Sequence, residues 1–164
     1  MTTAVYGDGT FERTVFVTSA EVDGFSPYVI YRGRGDGSGN DYETPRRFEW
    51  APDSHELGVS TLGHLCLYLV ATSNYSRCFN DIEVYDFDIS ASGSVAFTDL
   101  PGHIWVFAYD DPNAQVRMQL SDEPINWNLE WSPDGSILAF TRMGEIKIVD
   151  IYGDETLIAP VPVP

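Results

Sequence analysis

The residues best suited to chemistry in this 164-residue chain are carboxylates. Asp86 and Asp88, Asp110 and Asp111, and Asp122 and Glu123 stand as close pairs. In such pairs one group could serve as acid and the other as base. None has a base or nucleophile nearby in the sequence, and a chain with 25 acidic residues forms such pairs by chance. Asp36-x-Ser38-x-Asn40 starts like a calcium loop, but Asp41 stands where the loop needs glycine and Arg47 where it needs a bidentate glutamate. Arg34-Gly35-Asp36 spells a three-residue adhesion motif, a match too short to carry weight. His64 lies beside Cys66, yet no CxxC or HxxxH spacing supplies the four ligands of a zinc site. Cys66 and Cys78 flank Thr72-Ser73, so a hairpin centred there would set them opposite each other. A disulfide in an oxidising compartment and two small buried apolar side chains are both open, and the second is favoured. Gly-x-Ser-x-Gly, the P-loop and GxGxxG are absent. No catalytic, cofactor-binding or metal-binding residue is assigned.

Composition narrows the function further. There are 25 acidic against 9 basic residues, for a net charge of −16, which argues against a nucleic-acid-binding face. The same excess keeps a surface solvated, and it also suits a high-salt environment. Apolar residues make up 43% of the chain, enough for one globular domain with a real core. The longest apolar run, Leu65 to Ala71, is far short of the roughly 20 residues of a membrane span. No signal peptide opens the chain, so the expected location is cytoplasmic, or periplasmic or extracellular if such a segment has been removed.

The elements follow from one stretch, Glu130-Trp131-Ser132-Pro133-Asp134-Gly135-Ser136-Ile137-Leu138-Ala139-Phe140-Thr141. It reads as strand, tight turn, strand. Pro133 fixes one turn dihedral, Asp134 bonds back to its own backbone, and Gly135 accepts a left-handed conformation. The block recurs as Phe48-Glu49-Trp50-Ala51-Pro52-Asp53-Ser54, with Ser54 in the glycine place, and again around Ser90 to Gly93. Ala51, Ser90 and Ser132 hold one place, at intervals of 39 and 42 residues, while Tyr6 and Trp50 are 44 apart. Four repeats result, approximately 2–47, 48–81, 82–126 and 127–160, within a single domain 1–164. Each contains about four short strands, and no stretch has a clean helical period. Gly33 to Asn40 reads as loop, Tyr42 to Arg46 as a short edge strand, and His64 to Thr72 as a long strand. This spacing is that of β-propeller blades.

The segment Ser94 to Ile151 resembles the TolB-like, WD-type β-propeller repeat. Trp131 to Gly135 matches that family's turn, Ile137 to Phe140 its second strand and Ile146 to Asp150 its third. Ile104 to Asp110 and Met118 to Ser121 match the preceding copy. The match is weaker around Trp50 to Ser60 and fades before residue 45. The resemblance implies an all-β propeller of about four blades of four antiparallel strands. These would close as a four-bladed ring, form half of a larger ring completed by a second copy, or be a piece of a longer protein. Trp50 and Trp131 are expected to pack between blades. The implied function is a non-catalytic scaffold that binds a protein or peptide partner, self-associates, or does both. The alternative is an accessory, substrate-gating propeller of a larger hydrolase such as a peptidase. No cofactor is expected, nor nucleic acid nor membrane insertion. Function should lie in what the copies do not share, chiefly Gly33 to Tyr42, Ser73 to Phe79 and the axial loops.

Overall fold

The computed structural model describes residues 2–5, 11–17, 28–35, 45–61, 63–72, 74–79, 83–110, 117–121, 123–124 and 126–160. Among these there is no helix. β1 (Thr2–Val5), β2 (Phe11–Val17) and β3 (Tyr28–Gly35) form a three-stranded sheet in that order. β4 (Arg47–Trp50), β5 (Glu56–Thr61), β6 (His64–Leu69) and β7 (Asn74–Phe79) form the second sheet. The third holds β8 (Asp86–Ile89), β9 (Ser94–Thr98), β10 (Ile104–Ala108) and β11 (Arg117–Ser121). The fourth holds β12 (Asn126–Trp131), β13 (Ile137–Arg142), β14 (Glu145–Asp150) and β15 (Glu155–Pro160). Every sheet is an antiparallel meander, so each strand pairs with its neighbours in sequence. The chain divides into two compact units, 1–81 and 82–164, and the division falls between the second and third repeats.

The equivalence of the turns is visible in their hydrogen bonds. Ala51 N–H donates to Glu56 O, Ser90 N–H to Ser94 O and Ser132 N–H to Ile137 O. Within each turn, the N–H of Ser54, Gly93 or Gly135 returns to the carbonyl of Ala51, Ser90 or Ser132. All three of those residues have positive φ, and Ser54 adopts it at 58° in the place where the others are glycine. Asp53 and Asp134 each accept the backbone N–H two residues on, from His55 and Ser136.

Gly135 has a second reason to lack a side chain. A Cβ there would stand 2.3 Å from Ser92 Oγ and 3.2 Å from Ser90 Cβ, because the β8–β9 and β12–β13 turns abut. At Gly144 (φ 79°) a Cβ would meet nothing within 4 Å. Gly144→Ala should therefore cost about 1 kcal/mol of backbone strain, and Gly135→Ala about 3 kcal/mol. Thermal unfolding of the two variants side by side checks the difference.

The core of the second unit lies between its two sheets. Ala96, Ile104 and Leu120 from the third sheet meet Leu129, Trp131, Leu138, Phe140 and Val149 from the fourth. Trp131 is 7% exposed and packs between blades as the repeat implies. A sheet with two apolar faces must be covered on both, which is why neighbouring blades stack. Trp50 departs from this expectation: it is 47% exposed. In the first unit Val15 on β2 packs against Leu57 and Val59, with Tyr68 and Val70 alongside. That contact covers β5 but does not extend to Trp50 on β4, which therefore lies outside the core.

Other expectations need correction. β3 runs through Gly35, since Gly33 pairs with Arg13 and Gly35 with Phe11, so Gly33 to Gly35 are strand where a loop was expected, and the rest of that expected loop lies outside the described residues. Ladder bonds use only backbone groups, and the absent side chains do not prevent them. Pro45 and Arg46 lie outside any strand, and the rest of the expected Tyr42–Arg46 strand lies outside the described residues. β6 stops at Leu69, because Val70 to Thr72 turn the hairpin. Cys66 and Cys78 are cross-strand partners on β6 and β7 and are joined by a disulfide, with Cα atoms 4.1 Å apart. They are not the free apolar side chains that were favoured; the hairpin brings them to bonding distance.

Candidate functional site

The first carboxylate pair is structural. Asp86 and Asp88 sit two apart on β8, so both project to one face, toward β12. Asp86 Oδ2 accepts the backbone N–H of Leu129 at 3.0 Å and Asp88 Oδ2 that of Trp131 at 2.5 Å. Their Oδ1 atoms accept the N–H groups of Phe87 and Ile89. β8 and β12 are edge strands of their sheets and would otherwise bury unpaired N–H groups here. Each carboxylate thus staples two sheets together through the backbone. The sequence showed the pair but not the function, because the acceptors' partners lie 43 residues away.

A second polar node closes the opposite end of the same interface. Arg142, 3% exposed, donates to both carboxylate oxygens of Glu155, to Glu123, to Ser121 Oγ and to Asn126 Oδ1. Its guanidinium also lies over the Phe140 ring at 5.2 Å. Asn126 in turn donates to the carbonyls of Gly102 and Glu123. Partial burial raises the Glu155 carboxyl, but hydrogen bonds from Arg142 and Ser121 and the charges of Arg142 and Lys147 outweigh it. The carboxyl ends below its ordinary value.

A histidine–carboxylate pair occurs in the β9–β10 turn, the kind of couple that could orient a base. Asp99 Oδ2 meets His103 Nδ1 at 3.0 Å and accepts Trp105 Nε1–H at 2.9 Å. Its Oδ1 accepts the N–H groups of Gly102 and His103. With four donors on one carboxylate, Asp99 serves to fix the turn and hold Trp105.

The turn-bearing end of the fourth sheet is different in character. Ile137 pairs with Asp150, so the β12–β13 and β14–β15 turns lie side by side. Asp134 accepts Ser132 Oγ–H, Ser136 N–H and Ser136 Oγ–H. The Ser132 bond, followed by those of Ser136, holds its carboxyl down at about 2. Asp150 Oδ1 accepts the N–H groups of Tyr152 and Asp154, which fixes the second turn. That turn presents Ile151 and Tyr152 to solvent, Tyr152 at 83% exposure. Two apolar side chains thus stand on a rigid turn among Asp134, Asp150 and Asp154.

The remaining candidates disperse. Asp110 is exposed, while Asp111 and Asp122 lie outside the described residues, and Glu123 pairs with Arg142. Arg34 and Gly35 belong to β3, and Asp36, Ser38, Asn40 and Asp41 lie outside the described residues. His64 is exposed at the start of β6, and the Cys66 sulfur beside it is bonded to Cys78 rather than available as a thiolate ligand. Asn74 to Phe79 form β7, an edge strand of the second sheet. Among the described residues no group of three or more His, Cys, Asp or Glu side chains could hold a metal ion. No helix there is long and apolar enough to cross a membrane.

These meanders, their shared turn and their stacked cores define a β-propeller. No family model matches the chain, and no curated protein matches it. Solved structures do. The Cps50 (Swd1) β-propeller domain of Myceliophteria thermophila superposes with a TM-score of 0.61 at 15% identity, over 81% of this chain and 48% of that one. U3-55K superposes with a TM-score of 0.57 at 10% identity, over 71% of this chain and 38% of that one. The likeness gives the fold, a propeller of WD type. The chain spans less than half the length of either structure.

Proposed function

We propose that this chain is a non-catalytic propeller scaffold that binds a protein or peptide through the turn-bearing end of its fourth sheet. The observation that carries the reading is the rigid turn displaying Ile151 and Tyr152 among carboxylates. Tyrosine presented on a fixed backbone is a typical binding anchor, and the acids around it select a cationic partner. Meanwhile Asp86, Asp88 and Asp99 are engaged in holding the fold. The Trp131 to Gly135 turn supports kinship with TolB-like repeats in particular. The Cys66–Cys78 disulfide supports a periplasmic or extracellular location over a cytoplasmic one.

Selection from a displayed random-peptide library tests this. Peptides that combine Lys or Arg with an apolar residue should be enriched. Their binding should weaken with added salt and fall about ten-fold or more in Tyr152→Ala. Enriched peptides without positive charge, or binding unchanged by Tyr152→Ala, would overturn the assignment.

A further inference from the structure

The hairpin of β6 and β7 carries two features that bear on chemistry done to the chain rather than by it. Asn74-Tyr75-Ser76 has the form Asn-x-Ser with x other than proline, the acceptor signal for N-linked glycosylation. Asn74 is the only asparagine in the chain followed two places later by serine or threonine. It is the first residue of β7 and is exposed. Its backbone N–H donates to Thr72 Oγ1, and its carboxamide has no hydrogen-bond partner among the described residues. Ser76 is exposed as well and sits at the bulge where Leu67 pairs with Arg77 and Tyr68 with Tyr75. Its hydroxyl donates to Leu67 O at 3.2 Å. The second feature is the Cys66–Cys78 disulfide, which joins the same two strands. A structural disulfide and an N-linked glycan are both products of a secretory route.

We propose that Asn74 is an N-glycosylation site. The proposal rests on the oxidising location argued above from the disulfide. The donor is an oligosaccharide carried on a polyprenyl diphosphate, and a transferase supplies the base. Asn74 Nδ2 attacks the anomeric carbon of the first sugar, and the N–C bond forms as the bond from that carbon to the diphosphate oxygen breaks. The diphosphate leaves with the electron pair, Nδ2 gives up one proton, and nothing is oxidised or reduced. The fold has room for the product. Leu69 is the cross-strand partner of Asn74, so their side chains stand on one face of the second sheet. Leu69 is 39% exposed, and a sugar on Asn74 lies beside it at the surface. β7 is also the edge strand of that sheet. A glycan at its first residue hinders another strand from pairing along that edge, a protection that edges otherwise obtain from charge or proline.

The full chain, secreted from a eukaryotic cell behind a cleavable leader, tests the proposal. Its intact mass should exceed the chain mass by one oligosaccharide and return to it after peptide-N-glycosidase treatment, with aspartate left at the attachment point. Asn74→Gln and Ser76→Ala should each abolish the added mass, while Ser76→Thr, which keeps the hydroxyl that the signal needs, should retain it. Thermal unfolding of Asn74→Gln beside the enzymatically deglycosylated protein separates loss of the sugar from loss of the fold. Secreted protein at the bare chain mass overturns the proposal, and so does added mass that survives Asn74→Gln. Because the leader imposes the route, neither outcome depends on where the natural protein resides. Alkylation of Cys66 and Cys78 in the same material reads the disulfide, and with it the argument for location, separately.

Discussion

Asp88→Ala is expected to destabilise the protein by about 3 kcal/mol, while Asp88→Asn costs about 1 kcal/mol. The carboxylate accepts two backbone N–H groups, of Ile89 on its own strand and Trp131 on the next sheet. Alanine leaves both donors buried without an acceptor, and an orphaned buried group costs its full desolvation. Asparagine keeps one acceptor oxygen of the same reach and loses mainly the charge assistance. Adding Asp86→Ala should roughly double the loss, to about 5 kcal/mol, the whole stability of many domains. The double variant is therefore expected to be unfolded at ambient temperature. Urea denaturation gives the magnitudes. Amide hydrogen exchange gives the location: Leu129 and Trp131 amides should lose protection first, ahead of the β13–β14 ladder. Equal loss across the fourth sheet would show that the carboxylates do not act at the joint.

Arg142→Met is expected to cost about 3 kcal/mol at neutral pH, because it removes the cation from a buried cluster while keeping most of its length. Glu155 then keeps its burial and loses its main compensation. The pH dependence follows. In the native protein the Glu155 carboxyl lies below its ordinary value of 4.5, so its contribution is present above that value. It is lost as pH falls through the lower folded value. In the variant, burial without Arg142 pushes the same carboxyl upward, so acidification no longer penalises the fold at that residue. The stability gap between the two proteins should therefore be widest near neutrality and narrow below about pH 4.5. A gap that stays constant across that range would mean that Arg142 contributes only through contacts that do not titrate, its packing on Phe140 and its hydrogen bonds to Ser121 and Asn126.

The periodic part of this architecture is legible in the chain itself. Turn chemistry is local: Pro133, Asp134 and Gly135 act on their own backbone, and the residues that do so in the other copies are recognisable even when Ser54 replaces glycine. Strand alternation is local too, so the placing of β9, β10, β13 and β14 follows from it. What escapes is everything that depends on how two distant segments meet. Asp86 and Asp88 look like any acidic pair until β12 is laid beside β8. Arg142 looks like a surface arginine at a strand end until Ser121, Asn126 and Glu155 converge on it. Trp50 shows the reverse failure. Its local pattern equals that of Trp131, but burial is decided by what covers it. Tyr152 carried no signal in the sequence, for an exposed tyrosine stands out only once its turn is seen to be rigid.

The Asp86 and Asp88 staples have one more consequence. They grip main-chain N–H groups, so the hydrogen-bonded part of the joint reads no side chain, while Leu129 and Trp131 supply its apolar part. A strand that brings two amides to the right height beside β8 and apolar side chains to cover Ala96 and Ile104 meets both requirements. Such a joint permits a lineage to duplicate, delete or exchange whole blades without redesigning the contact each time. Phe48–Trp50, Phe87–Ile89 and Leu129–Trp131 keep one place before the turn and vary in sequence, and a backbone coupling such as that at Leu129–Trp131 tolerates variation of this kind.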